Sequence, residues 1–427
     1  MKNLFKILFC ILIVDLYFFS SVFTFTRGVN SKLILGVLGL VTFVIHSAKV
    51  KKMSVSKQMI VLTLLAVGVS LASLFSMNYN NTGDDAYFTY VISMLVWLAA
   101  AYMVAVSINY AYGKLSIELI ADFIIAVSVI QCTIAILGEL FVPVNNFIKL
   151  LVPGTTWLDS VDRMYGLGEN TALDTGGIRY AIACILCAHM LVKTGEERRK
   201  WQLWYLFAYV YITIIGNMIA RTTSVGSVIA LVYLLGHLFS GTKVSVTKLR
   251  VFGLMTFLFA LMFGVSVWLY NTNDVFQRNL RFGFEGFINL VETGEWHVTS
   301  NDKLRSMYVF PDNPKTWFIG DGYFNNPDGD PNYIGDITDG YYMNTDVGYL
   351  RFIFYFGIVG LSIFSLLILY AGLICHTRNP GDGLLFSILV LLNFIVWFKV
   401  ATDCFFILAV FIALAYIKEC SPSESLQ

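Results

Sequence analysis

Apolar residues in this chain fall into long blocks rather than alternating with polar ones. The blocks lie at about 4–26, 33–48, 58–77, 86–108, 117–141, 177–193, 202–220, 223–240, 251–270, 347–374, 383–399 and 403–418. Most approach or reach the ~20 residues needed to cross a bilayer. They predict an all-α polytopic membrane protein of about twelve transmembrane helices. The longest break in the pattern lies between helices nine and ten, where 271–346 turns polar and rich in Gly, Asp and Asn. A long loop inside a compact protein is usually functional. The chain therefore divides into 1–270, with helices one to nine and a shorter loop at 143–176; the large loop 271–346; and 347–427, with helices ten to twelve and a short tail. The start, Met1-Lys-Asn-Leu-Phe-Lys6, looks like a signal peptide. Its apolar run continues to Phe25 and no A-x-A site follows, so it is read as the first membrane helix.

Composition supports the membrane reading. Of 427 residues, 57 % are hydrophobic and 13 % charged, against about 25 % charged in soluble domains. A net charge of +1 leaves no basic footprint for nucleic acid. None of the seven cysteines lies in the large loop, so a disulfide framework is not expected. Cys184 and Cys187 sit one turn apart in an apolar helix and read as packing, since a zinc site wants four clustered ligands. No metal or other cofactor is expected.

Lysine and arginine placement sets the orientation. One set of short loops is rich in them: Lys49, Lys51, Lys52 and Lys57; Lys193, Arg198, Arg199 and Lys200; Lys243, Lys248 and Arg250. The alternate set is poorer, with none at 78–86 and only Arg27 and Lys32 between the first two helices. The rich side is read as cytoplasmic. Both termini are then inside. The 143–176 loop, the turn at Arg221 and the 271–346 loop are outside.

Several residues on the outer side are candidates for chemistry. Arg163 precedes Gly166 and Gly168, whose backbone amides could approach a ligand; it also fits an ordinary loop arginine. Arg221 stands between two apolar runs, with Thr222, Thr223 and Ser224 beside it. A charge so near hydrocarbon marks an interior functional site or a snorkelling helix end. Phe276, Leu280, Phe284, Phe287 and Val291 repeat at helical spacing and predict one amphipathic helix over 275–291, lying along the membrane. It carries Arg278 and Arg281 on another face, near Glu285 and Glu292. Arg305 follows. Then Trp317-Phe-Ile-Gly-Asp-Gly-Tyr-Phe324 turns on Gly320 and Gly322. Asp328, Asp330 and Asp336 do not match an EF-hand loop and read as turn acids. Asp346, where the loop re-enters the membrane, is expected one turn before Tyr349 on one helix face. It suits a general base and equally an N-cap. Lys399 and Asp403, four apart, read as a local ion pair.

This arrangement resembles the O-antigen polymerase (Wzy) and O-antigen ligase superfamily of bacterial membrane glycosyltransferases. The layout of helices and late outer loop is similar over most of the chain. Arg221-Thr-Thr-Ser-Val-Gly226 looks like the family's arginine segment at the outer end of a middle helix. Arg305 with Phe318-Ile-Gly-Asp-Gly-Tyr-Phe324 resembles its loop arginine and G-x-G-x-F block. Asp346-Val-Gly-Tyr-Leu350 followed by Phe356-Gly-Ile-Val-Gly360 is similar to its H-N-x-Y-L and G-x-x-G. Arg163-Met-Tyr-Gly166 matches an R-x-x-G of an earlier outer loop. Asp346 stands where ligases have histidine, which favours polymerase over ligase.

The resemblance implies a polymerase that moves a growing glycan from undecaprenyl diphosphate onto a sugar hydroxyl of another undecaprenyl-diphosphate-linked repeat unit, without a metal. It implies catalytic roles for Asp346, Arg221 and Arg305. It implies substrate contacts for Arg163, Arg278, Arg281, Tyr349, Trp317 and Tyr323. It implies a bacterial inner-membrane setting, with a chain-length regulator and a flippase of the same pathway as partners. The alternatives are a ligase on the same fold, and a polytopic transporter or lipid-glycan flippase without covalent chemistry.

Overall fold

The computed structural model describes residues 2–26, 28–50, 56–160, 163–193, 200–239, 246–335, 337 and 340–420. Arg27, Lys51, Lys52, Arg198, Arg199, Lys243 and Asp336 lie outside the described residues. The helices are α1 (Lys2–Phe18), α2 (Ser31–Val50), α3 (Lys57–Asn80), α4 (Tyr90–Tyr112), α5 (Ile117–Leu140), α6 (Val142–Leu151), α7 (Thr156–Ser160), α8 (Leu173–Lys193) and α9 (Gln202–Ile219). They continue as α10 (Thr223–Phe239), α11 (Val246–Thr272), α12 (Asp274–Gly283), α13 (Glu285–Thr293), α14 (Thr299–Ser306), α15 (Pro314–Ile319), α16 (Gly348–Arg378), α17 (Gly383–Val396) and α18 (Phe405–Cys420). Among the described residues there is no strand, only an isolated bridge between Val22 and Asn30. Eight described helices, α2, α3, α4, α5, α8, α9, α11 and α16, are long and apolar enough to cross a membrane. The chain is an all-α protein of multipass character.

Contacts divide it into two units: Met1–Leu35 with Val104–His297, and Gly36–Met103 with Val298–Gln427. In the first unit the core is α8, whose residues from Gly176 to Leu191 are all buried. Small residues let its neighbours close on it. A side chain at Gly226 would stand 2.3 Å from Ala181, and one at Gly216 3.2 Å from Tyr180. The first expected helix is shorter than the apolar run: α1 ends at Phe18, not near 26. The Phe18 carbonyl accepts from Arg179 Nε. Ser21 and Ser31 then exchange bonds, the Ser21 amide to the Ser31 hydroxyl at 3.0 Å and the Ser31 amide to the Ser21 carbonyl at 2.9 Å. Serine competes well with helical backbone pairing.

In the second unit the core is α16, and α16 is broken. Phe356 (φ −135°) and Gly357 (φ 67°) are not helical. The freed carbonyls do not go unpaired. Phe354 O accepts from the Asp321 amide at 2.5 Å, and Tyr355 O accepts from the Gly322 amide at 3.1 Å and from Ser76 Oγ at 2.7 Å. The glycines on both sides are there because backbone meets backbone. A Cβ on Gly320 would lie 2.5 Å from the Tyr355 oxygen, and one on Gly357 2.2 Å from the Phe318 oxygen. The G-D-G block and the G-I-V-G block are thus two halves of one contact. The 358–378 stretch beyond the break is roughly 31 Å of helix, enough to cross alone.

Candidate functional site

In the first unit, the turn between α9 and α10 seats Arg221. Ala220 and Thr222 press on Gly177, where an added Cβ would come within 2.9 Å of both side chains. The Thr222 hydroxyl donates to Asp174. The predicted amphipathic helix over 275–291 is two helices, α12 and α13, parted at Phe284 (φ −121°, ψ 26°). The reason is Gly283, which lies against the Asn217 carbonyl of α9, 2.9 Å from any Cβ it might carry. That approach brings the Phe282 carbonyl to Arg221 Nε at 2.8 Å and Glu285 to Arg221 Nη2 at 2.6 Å. Burial lowers the Arg221 guanidinium from its ordinary value, and Glu285 opposes the shift.

Arg163 arrives from the segment between α7 and α8. Its chain is pinned by the Tyr165 hydroxyl, which donates to Asp159 at 2.9 Å, and by the Leu167 amide on Gln131 Oε1 at 2.7 Å. The Arg163 guanidinium carbon lies 4.0 Å from the Phe282 ring centroid, and that of Arg221 lies 4.3 Å from the same centroid. Two cations share one aromatic ring. The expectation that the amides of Gly166 and Gly168 approach a ligand is not met: they donate to the Thr171 hydroxyl at 2.8 Å and the Gly166 carbonyl at 3.1 Å. Arg278 and Arg281 belong to this unit but face other partners. Arg278 pairs with Glu139 at 3.3 Å. Arg281 grips Glu292 at 2.6 and 3.1 Å, which raises its pKa above the ordinary value. Exposed pairs of this kind are weak.

The second unit holds the remaining candidates. Asp346 is not on the α16 helix and does not cap it: the N-cap is Val347, with no side-chain cap bond. Asp346 instead pairs with Arg351 Nη1 at 3.5 Å. Arg351 is only 5 % exposed. Its guanidinium carbon sits 3.8 Å from the Phe324 ring centroid and 3.5 Å from that of Tyr341, and Nη2 donates to the Phe324 carbonyl at 3.0 Å. Phe324 is held in turn by Asp84, which accepts its amide at 2.8 Å and that of Asn325 at 2.7 Å.

Arg305 projects outward from α14, its side chain 84 % exposed, with Asp302 at 3.8 Å. Tyr349 is used in packing: its hydroxyl donates to the Phe394 carbonyl at 3.0 Å and its ring meets Trp397 and Phe398. Trp317 Nε1 donates to the Pro311 carbonyl at 2.9 Å. Tyr323 donates to Asp330 at 3.1 Å and packs against Tyr333 and Tyr342. Burial and the Asp330 carboxylate push its phenol up to about 12. Asp330 also accepts the Asn332 and Gly83 amides, so this turn acid is a loop fastener. Of Lys399 and Asp403, read as a local ion pair, the second lies in a non-helical stretch at 400–404, and it accepts from Tyr90.

Sequence reasoning passed over Phe282, Arg179 and Arg351. Arg351 carried a signal: it is a charge inside an apolar run, which by itself marks a site. Among the described residues no three His, Cys, Asp or Glu side chains gather as a metal site would require. No family model matches the chain, and neither a curated protein nor a solved structure matches it.

Proposed function

We propose that this chain is a polysaccharide repeat-unit polymerase of a bacterial cytoplasmic membrane. In this reading it crosses twelve times, with both termini inside and 271–346 outside. Its substrates are two undecaprenyl-diphosphate-linked glycans. A sugar hydroxyl oxygen of one bonds to the anomeric carbon of the other. The bond from that carbon to the diphosphate oxygen breaks, and its electron pair leaves on undecaprenyl diphosphate. The hydroxyl proton passes to a base, for which Asp346 is the candidate.

The observation that carries this reading is the meeting of Arg163 and Arg221 on Phe282. Guanidinium groups stay charged and grip phosphate oxygens in a fork. Stabilising the leaving diphosphate is where charge on the protein does most for the rate. Arg221 takes the leading role, Arg163 the second. Arg278 and Arg281 are guides at the surface, and Arg305 an outer contact. Tyr349, Trp317 and Tyr323 support the second unit rather than touch sugar.

A transporter is the second reading, and the break in α16 favours it, since discontinuous helices hold substrate in many transporters. Here the carbonyls of the break are already taken by Asp321, Gly322 and Ser76. Among the described helices α16 alone carries such a break, whereas two related halves would carry a pair. Surface polysaccharide run on a gel separates the readings. Arg221→Ala in a polymerase leaves single repeat units at the surface; in a flippase it leaves none there. A normal ladder from Arg221→Ala contradicts the assigned site.

A further inference from the structure

Arg351 is the most demanding side chain of the second unit. A guanidinium this buried needs its N–H groups answered, because an unmet buried donor is costly. Nη2 has the Phe324 carbonyl at 3.0 Å. Nη1 has Asp346 only at 3.5 Å, against about 2.7–2.9 Å for a tight charged bond. Nε is buried with no hydrogen-bond partner. Phe324 and Tyr341 both stack on the guanidinium, and the Tyr341 side chain also hydrogen-bonds to it. They fix its plane and leave the Nε edge as the place for an acceptor. That edge, Nε with an adjacent Nη, is the fork that matches phosphate. Asp346 is the more accessible partner, its side chain 29 % exposed.

A purely structural pair would close to a short contact and satisfy Nε. This one is slack and incomplete. We propose that Arg351 is a phosphate-recognising group of the second unit, taking a lipid-linked diphosphate through its Nε edge, with Asp346 on Nη1 as the nearby anion whose charge opposes that binding. The choice of ligand rests on the polymerase reading, in which two lipid-linked substrates bring two diphosphates.

The test is binding, read without turnover. The full chain is placed in phosphatidylcholine nanodiscs in an Arg221→Gln background, and undecaprenyl diphosphate is titrated by tryptophan fluorescence. Arg351→Gln should weaken binding about tenfold or more, and Asp346→Asn should tighten it severalfold. Unchanged affinity in Arg351→Gln, or weaker binding in Asp346→Asn, overturns the proposal. If Arg351→Gln does not fold, the sign of the Asp346→Asn effect still decides. Two further probes separate the sources of phosphate. Inorganic pyrophosphate binding as tightly as the lipid, or phosphatidylglycerol competing with it, overturns a lipid-linked diphosphate as the ligand. A wild type that binds as described but builds no polymer sinks the polymerase reading alone. A working polymerase whose binding ignores Arg351 and Asp346 sinks this inference alone.

Discussion

Arg221 and Arg351 are both arginines set against aromatic rings beside a carboxylate, yet their surroundings differ in kind. Arg221 sits on a turn seated by Gly177 and Gly283. Its anion, Glu285, is at 2.6 Å, and its ring, Phe282, is shared with Arg163. Arg351 is buried more deeply, its anion is at 3.5 Å, and one N–H has no acceptor. The first is a cation held at short range by its anion. The second is a cation whose local structure is incomplete. Tight pairing fixes a group in place, whereas slack pairing of a buried charge leaves interaction energy for something that binds.

The sharpest way to break this contrast is to remove Arg221. Arg221→Ala should lower polymer synthesis by about 10²–10³-fold, the usual loss when one donor to a developing oxyanion is removed. Lysine at 221 should restore only part, since it lacks the fork. In the second unit, Gly357→Ala should cost about 3 kcal/mol, from a left-handed φ of 67° and a clash with the Phe318 carbonyl. Thermal unfolding in detergent measures it, and an unchanged melting point would mean the break is not held as described. Glu285→Gln comes next. It leaves the partly buried Arg221 without its anion and should cost roughly 1–3 kcal/mol, also read by thermal unfolding. The same neutralisation at Asp346 should cost less, because that pair is long and its carboxylate partly exposed.

The smallest effect is on pH. Tyr323 is raised from 10.0 to about 12 by burial and by Asp330. A raised phenol contributes stability that is complete below the unfolded value and lost as pH climbs through the folded one. The loop at 321–333 should therefore loosen between pH 10 and 12, with a phenolate absorbance step that Tyr323→Phe removes.

The helices were legible in the sequence because burial in lipid and burial in protein both demand continuous apolar runs. What was not legible depended on partners far along the chain. The end of α1 at Phe18 depends on Arg179, and the division of α12 from α13 depends on Asn217. The break in α16 is held by Asp321 and Gly322, so two short glycine motifs that looked like separate signals form one backbone contact. Arg221 stood out because it is a charge between two apolar runs, with hydroxyl residues beside it. Its anion, Glu285, could be noted only as a charge near Arg278 and Arg281. Arg351 stands in an apolar run in the same way, but its ring partner Phe324 and the Phe324 carbonyl lie elsewhere along the chain. Asp346, read as a general base or a helix cap, does not cap α16; it pairs with the buried Arg351 at 3.5 Å, a partner the sequence reading did not assign to it.

The central claim is that this chain joins lipid-linked glycans and that Arg221 serves the departing diphosphate. The direct measurement is turnover by the purified chain in nanodiscs given lipid-linked repeat units, with product length and released undecaprenyl diphosphate followed together. The account predicts a ladder from the wild type, one undecaprenyl diphosphate released per unit added, and a loss of both in Arg221→Ala. A wild type that releases no diphosphate and yields nothing longer than one repeat would contradict it.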